Sequence, residues 1–369
     1  MSELIIGPVD VGRDGGGWRA GAVVGRHPVE FRASHPLAPV GEALASAFLL
    51  PAMARGADLA VADPLCPRWR ANIDTVRDLA HRWWGYGHGA VHGPEGAVRD
   101  PLPDTALFFG GGVDSLYSLE TRAADIRYLV YVQGYDVPLA DPERLARIDD
   151  WNRRVAAEAG KELVVLRADL RDLPEFRLVS WEFAHGGALA AVAHLLSGLA
   201  GRFLLPSSIP AWHDHAWGST PELDAAWSSS AAAIESHGAD HDRLDKALAI
   251  AESPLAHRYM RVCWRHTHQD LNCGACEKCL RTQLEFLAAG TLDRFRTFPP
   301  GSLAEKIDAL PGVMPSIERY YHQVLEHVDD RAVRTAIRAL VDRSPAWRRR
   351  QRWRGRLVGA ARFLRWRYR

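Results

Sequence analysis

Short apolar runs alternate with longer amphipathic stretches along most of the chain, and the change of period marks the elements. In the first hundred residues, strand-like runs fall at Leu4 to Ile6, Ala20 to Val24, Val29 to Phe31 and Asp58 to Val61. A helical pattern covers Pro39 to Ala54 and an amphipathic one lies near Asn72 to Trp84. These predict a small α+β domain over residues 1–100 that carries no chemical motif. Gly87 to Pro103, rich in Gly and Pro, reads as a linker.

From Asp104 the pattern changes. Apolar strands at Thr105 to Phe109, Tyr128 to Gln133, Leu163 to Arg167 and Phe203 to Pro206 alternate with helical stretches at Ser115 to Ala123, Pro142 to Ala159 and Glu182 to Ala200. Strands alternating with helices of this length imply parallel strands joined by crossover helices, hence an α/β domain with a doubly wound, mainly parallel sheet. Its ligands are expected beyond the carboxyl ends of the strands. After Leu280 the chain reads mainly as helices, including Ile317 to Val328 and Arg331 to Val341. The expected organisation is the N-terminal domain, an α/β domain over 104–291, a helical extension over 292–342 and a tail over 343–369.

Composition excludes some classes. A chain of 369 residues that is 47% hydrophobic and 25% charged is neither disordered nor fibrous. Nothing near Met1 reads as a secretory signal, so a cytoplasmic protein is expected. The most apolar stretch, Gly186 to Leu205, is interrupted by His194, Ser197 and Arg202; it predicts a buried helix and strand, with His194 a core residue. The near balance of 46 basic and 45 acidic residues hides an uneven distribution: eleven arginines and no acid lie from Arg343 onward, leaving the body acidic. Trp347, Trp353, Phe363, Leu364 and Trp366 interleave with those arginines. Such a tail suits an anionic membrane, RNA, or the acidic body of the chain itself, and the residues do not separate these.

The first chemical motif is Gly110-Gly111-Gly112-Val113-Asp114-Ser115, set between an apolar strand and a helix. Glycines let the backbone turn tightly and approach a phosphate without a Cβ in the way, while the helix start offers unpaired N–H groups and a favourable dipole. Ser115 adds a hydroxyl and Asp114 a carboxylate able to hold Mg²⁺ beside a polyphosphate. No Gly-Lys-Ser/Thr follows, so this is not a Walker A loop, and the glycine spacing is not the dinucleotide fingerprint.

The second motif is Cys263, Cys273, Cys276 and Cys279, spaced C-x9-C-x2-C-x2-C. Two-residue gaps let neighbouring thiolates converge on one ion and the longer gap brings the fourth from an adjacent segment, which predicts a closed tetrahedral zinc site. An iron–sulfur cluster is the minor alternative. Gly274 eases the knuckle turn. His257, His266 and His268 are expected outside the ligand set, and Cys66 reads as an unconnected structural thiol.

The loop Gly110 to Ser115 resembles the SGGxDS signature of the PP-loop ATP pyrophosphatases, which cleave ATP to AMP and pyrophosphate while adenylating an acceptor oxygen. With the later cysteine cluster, the order of motifs is similar to that in 7-cyano-7-deazaguanine synthase and its relatives, over about Asp104 to Thr291. Local matches are Ser219-Thr220-Pro221-Glu222, like the family's Arg-Pro-Glu segment, and Lys246, where the family carries a lysine. The resemblance implies a carbon–nitrogen bond-forming ligase with ATP, Mg²⁺ and Zn²⁺, acting on a small molecule with a nitrogen donor. Asp114, Ser115 and Lys246 would be catalytic. Gly110 stands where the family has Ser, Val262 where it has Ser, and Gln133-Gly134-Tyr135-Asp136 where it has Asp-Tyr-Gly-Gln. These departures imply a different substrate. A PP-loop enzyme acting on tRNA, or a nucleotide-binding regulator without turnover, are the other readings.

Remaining candidates come from position. Gln133 and Asp136 fall at the expected end of the second strand of the α/β region, where a nucleotide or substrate would lie; Asp136 reads equally as a turn residue before Pro138. His213, Asp214, His215 and Glu222 follow the fourth strand as candidate substrate contacts, against the plainer reading of a surface loop. Lys246 would neutralise charge on the leaving pyrophosphate, or simply be a solvated helix lysine.

Overall fold

A computed structural model describes residues 2–213, 215–265 and 271–367, with side chains through residue 353. Asp214, His266 and His268, and the apolar residues of the tail beyond Trp353, lie outside the described side chains. The chain forms two compact units, Met1–Asp242 and Arg243–Arg369.

The first unit opens with β1 (Glu3–Ile6), β2 (Asp10–Asp14), β3 (Gly17–Val24) and β4 (His27–Ala33), then α1 (Gly41–Ala54), β5 (Asp58–Val61), α2 (Pro67–Trp84) and β6 (Val91–His92). It continues through β7 (Thr105–Phe108), α3 (Val113–Thr121), β8 (Ile126–Gln133), α4 (Pro142–Glu158), β9 (Glu162–Ala168), α5 (Trp181–Leu195), β10 (Arg202–Pro206), α6 (Pro221–Ala226) and β11 (Ala233–His237). All eleven strands join one sheet in the order β11-β10-β7-β8-β9-β4-β3-β1-β5-β6, with β2 paired to β3.

The sheet is mixed. From β9 to β11 every pairing is parallel, whereas the β1–β3, β2–β3, β3–β4 and β4–β9 pairings are antiparallel. The β4–β9 ladder sets Phe31 opposite Ala168 and Ala33 opposite Leu166. All four are buried, so the strand edge that would have closed an N-terminal domain is instead paired and covered. The separate domain expected over residues 1–100 is therefore an extension of the α/β sheet, and the Gly/Pro-rich linker runs along it: Gly89 and Gly93 lie so close to Ala57 and Val61 that a Cβ on either would meet a backbone carbonyl oxygen within 2.8 Å.

Helices pack on the sheet because its central strands are apolar on both faces. Ala106, Phe108, Val130, Val164 and Phe203 enter the core shared with α1, α2 and α5. Leu107, Leu129 and Leu204, one step out of phase and so on the opposite face, are equally buried. α1 is apolar all round, as a helix covered on every side must be. Its Leu44, Phe48 and Leu49 are at most 2% exposed, and burial of such side chains contributes roughly 1.5–3 kcal/mol each. α1 and α5 approach closely because Gly187 has no side chain; a Cβ there would stand 2.5 Å from the Ser46 carbonyl oxygen.

Helix starts follow local sequence. Pro142 follows the cap Asp141, whose Oδ1 accepts from the Arg144 N–H (3.1 Å). The segment Ser219 to Glu222 does the same work: Thr220 caps α6 and Pro221 takes its first position.

The second unit holds α7 (Arg243–Ala249), α8 (Pro254–Tyr259), α9 (Glu277–Ala288), α10 (Leu303–Asp308), α11 (Pro315–Leu325) and α12 (Arg331–Arg367). Leu280, Leu284, Ile307, Tyr321, Val324, Ile337 and Leu340 form its core. Buried Arg243 pairs with Glu285 (2.9 Å) and donates to Thr282 Oγ1 (2.9 Å). The tail expected to begin at residue 343 starts inside α12. Arg343 donates to the carbonyl oxygens of Ile307 (2.7 Å) and Leu310, and Arg348 to that of Val313, so these two arginines close the end of α10 and the turn after it. No helix among the described residues is long and apolar enough to cross a membrane.

Candidate functional site

The parallel part of the sheet reads, in chain order of its own strands, third-second-first-fourth-fifth: β9, β8, β7, β10, β11. From β7 the chain moves outward on one side through β8 to β9, then crosses back through α5 to place β10 and β11 on the other side of β7. The crevice beyond the carboxyl end of β7 is therefore the topological switch point, where open α/β sheets bind ligands. Gly110 to Ser115 occupies that point.

Each residue of the loop has a distinct constraint. Phe109 still belongs to the ladder, its N–H donating to the Val130 carbonyl (2.8 Å), and its ring stacks on Trp151. Gly111 then turns with φ +74°, open to glycine, and a Cβ there would strike the Trp151 ring. Gly112 is extended and caps α3. The first N–H groups of α3 have no carbonyl one turn back, and a helix start of this kind favours an anion. Val113 is fully buried and anchors the helix, whereas Asp114 is partly exposed in its first turn.

Ser115 differs from expectation. It is 5% exposed and its hydroxyl donates to the Gly112 carbonyl (3.1 Å), so it holds the loop's shape rather than presenting a donor outward. Gly110 has no positive φ, and a Cβ there would have only Asp136 Oδ2 nearby, at 3.9 Å. The carboxylate of Asp136, exposed in the turn after β8, thus faces the first glycine of the loop. Gln133 points elsewhere: its amide donates to Asp149 Oδ2 on α4 (2.6 Å), a carboxyl that burial pushes above its ordinary range. It ties β8 to α4 instead of facing the crevice.

Of the residues expected to contact substrate, His213 and His215 are exposed, in the loop between β10 and α6, with His215 stacked on Trp217 (5.8 Å). Asp214 lies outside the described residues. Glu222 is exposed on α6. The carboxylate with a built environment is two residues on: Asp224 is fully buried, accepts from the Ser219 hydroxyl (2.8 Å) and from Ser236, and burial pushes its pKa up to about 7. Lys246 belongs to the second unit and is 1% exposed, so it is not a solvated helix lysine.

One residue at the crevice carries no signal in the sequence. His185, in the first turns of α5, lies edge-on to Trp217 (5.7 Å), and Asp136 is near enough for its charge to act on the imidazole. His185 sits in a run of Ala and Gly that reads only as a buried helix.

The cysteines converge within the second unit. Their four sulfurs all lie within 4.8 Å of one another, with Cys263 to Cys276 at 4.0 Å and Cys273 to Cys279 at 3.9 Å. Tetrahedral zinc with bonds of about 2.3 Å has its sulfurs about 3.8 Å apart, so the set fits such an ion. Cys276 caps α9 and Cys279 lies in its first turn, where the helix dipole favours thiolates. Hydrogen bonds from Cys276 and Cys279 hold the Cys263 thiol well below its ordinary pKa, and the same bonds push the two donors up.

Hydrogen bonds from residues around the sulfurs fix this arrangement. Asn272, fully buried, accepts from the N–H groups of Val262 (2.8 Å) and Cys263 (3.1 Å) and donates to the Met260 carbonyl (2.8 Å). It joins the distant first ligand to the knuckle. Gln283 donates to the carbonyls of Gly274 and Cys279, both at 3.0 Å. Gly274 turns with φ +67° against Pro299. An ion held by all four sulfurs would have no position open to substrate.

No family model, curated protein or solved structure matches the chain.

Proposed function

We propose that this protein is an ATP-dependent adenylating enzyme of the kind its loop resembles. It would cleave ATP between the α and β phosphates, join AMP to a carboxylate oxygen of a small molecule, release pyrophosphate, and let a nitrogen nucleophile displace AMP. One observation carries this reading: Gly110 to Ser115 links β7 to α3 at the one reversal of strand order in the parallel sheet.

The chain's own groups suit that chemistry. The N–H groups of Gly112 to Asp114 would bind phosphate oxygens, with the α3 dipole adding to the attraction. Asp114, in the first turn, would hold Mg²⁺, which supplies charge neutralisation on the phosphates. Asp136, across from Gly110, would face the α-phosphate end of the nucleotide and the acceptor. Gly110 leaves space where the family has a hydroxyl, and that space would admit a larger or differently placed acceptor. The cysteine centre serves as a structural zinc site that fastens the segment around Cys263 to α9.

The test is product analysis with ATP, Mg²⁺ and a panel of acetate, succinate, benzoate and nicotinate, with hydroxylamine present to trap an adenylate as hydroxamate. The expected products are AMP, pyrophosphate and a hydroxamate with at least one acceptor. ADP and phosphate, or nucleotide binding without turnover on any acceptor, would overturn the reading; the latter would leave a nucleotide-binding regulator.

A further inference from the structure

At the crevice, the tautomer of His185 is dictated by its surroundings. Its Nδ1 faces two backbone carbonyl oxygens of its own helix, Trp181 (3.3 Å) and Glu182 (3.1 Å). Carbonyls only accept, so Nδ1 carries the hydrogen and Nε2 carries the lone pair. Among the described residues Nε2 takes no hydrogen bond.

The ring is held in place from both sides. Its edge meets the indole of Trp217, and the segment carrying Trp217 is pinned to α5: the Gly218 N–H donates to the Glu182 carbonyl (3.0 Å), and a Cβ on Gly186 would stand 1.9 Å from the Gly218 oxygen. Tyr135, next in sequence to Asp136, lies at an angle to Trp181 (5.0 Å) and donates to the Ala188 carbonyl (2.9 Å), so the turn carrying Asp136 packs on the stretch of α5 that carries His185, and Asp136 Oδ2 faces Gly110. Burial pushes the imidazole below its ordinary range, with Asp136 acting in opposition. The result is a neutral base on a stretch of α5 packed against the Asp136 turn, with a carboxylate near enough for its charge to favour the imidazolium.

We propose that His185 is the general base of the second half-reaction, taking through Nε2 the proton shed by the attacking nitrogen nucleophile. This rests on the adenylation reading above. A neutral amine or ammonia attacks the carbonyl carbon of the acyl adenylate, and the new C–N bond forms. The nitrogen, now positive, gives one proton to Nε2. The C–O bond to AMP breaks, and AMP leaves with its electron pair. The imidazolium, held beside Asp136, then returns the proton to solvent. Adenylation itself needs no base, because a carboxylate oxygen is already the nucleophile.

That asymmetry supplies the test. His185→Asn keeps a side-chain N–H that can reach the helix carbonyls and removes the basic nitrogen; His185→Gln is the second variant if the first does not fold. Three rates are measured on each folded variant with the acceptor panel: ATP–pyrophosphate exchange, transfer to ammonia, and transfer to hydroxylamine, whose weakly basic nitrogen loses its proton without help. General bases contribute about 10²–10⁴-fold. The expected result is a fall of about that size in transfer to ammonia, with exchange and hydroxamate formation within a few-fold of wild type. An equal fall in all three rates would make His185 a structural residue and overturn the proposal while leaving the adenylation reading intact. Unchanged transfer to ammonia would overturn it as well. No exchange in the wild type would overturn both readings.

Discussion

Trp151 of α4 lies directly against Gly111: a Cβ built on that glycine would stand 1.9 Å from the indole Cη2. The glycine turn and the α4 indole therefore form one packed unit, with the Phe109 ring stacked on the other end of the same contact. The middle glycine is required twice over, by its φ of +74° and by the lack of room. The first glycine is required by neither.

Gly111→Ala is accordingly expected to destabilise the first unit by roughly 2–4 kcal/mol, the sum of a left-handed alanine and an overpacked contact. Gly110→Ser is expected to change stability by less than about 0.5 kcal/mol and to raise nucleotide affinity or turnover, since it restores a hydroxyl beside Asp136 without a clash. Urea unfolding and nucleotide titration of the two variants check this. Equal stability losses would contradict the geometry of the turn.

The metal centre makes a separate claim. Purified protein is expected to carry about one zinc per chain, and Cys276→Ser to lose metal and thermal stability together, because ligand binding here is folding free energy. Asn272→Ala, which cuts the link between the Cys263 segment and the knuckle, is expected to weaken zinc binding about 10- to 100-fold without touching a ligand. Cys66→Ser leaves the metal content unchanged. Metal analysis by mass spectrometry decides it, and full zinc occupancy in Cys276→Ser would refute the assignment.

Two buried groups give the stability opposing pH dependences. His194 is fully buried, bonded through Nε2 to the Trp227 carbonyl, and burial lowers its pKa to about 4. The unfolded chain takes up its proton first, so His194 contributes stability that is lost as pH falls from about 6.5 through 4, up to about 3 kcal/mol. Asp224, raised to about 7, works the other way: its contribution is present below about pH 4 and is lost as pH rises through 7. The two trends offset each other in the wild type. Asp224→Asn is expected to be more stable than wild type above pH 7, by at most about 4 kcal/mol, with the advantage gone near pH 4. Urea unfolding across that range checks the sign; a variant less stable at pH 8 would contradict it.

The sequence disclosed what is local and periodic. The central strands β7 to β10 and the helices between them follow the apolar period, and the cysteine spacing foretold a convergence that the sulfur positions bear out. Pairings between distant segments were not legible: nothing in the Phe31 run says that it will join Ala168 rather than close its own sheet, because strand partners are chosen by a shared buried face and not by either sequence alone. The same holds at the site. Asp136 was visible because it follows the end of a strand, whereas His185 is hidden in an apolar helix and Asp224 sits behind the more conspicuous Glu222. Position along an element is written locally; what a side chain meets there depends on tertiary neighbours.

The most direct test of the adenylation reading is ATP–pyrophosphate exchange with the carboxylate panel, run on the wild type and on Asp114→Ala. Asp114 is partly exposed in the first turn of α3, so its loss is expected to leave the melting temperature within a few degrees. Wild-type protein should return labelled pyrophosphate to ATP only when a carboxylate is present, and folded Asp114→Ala should lose at least a hundredfold of that rate. Exchange that persists undiminished in the folded variant, or a wild type that makes ADP and phosphate, would contradict it.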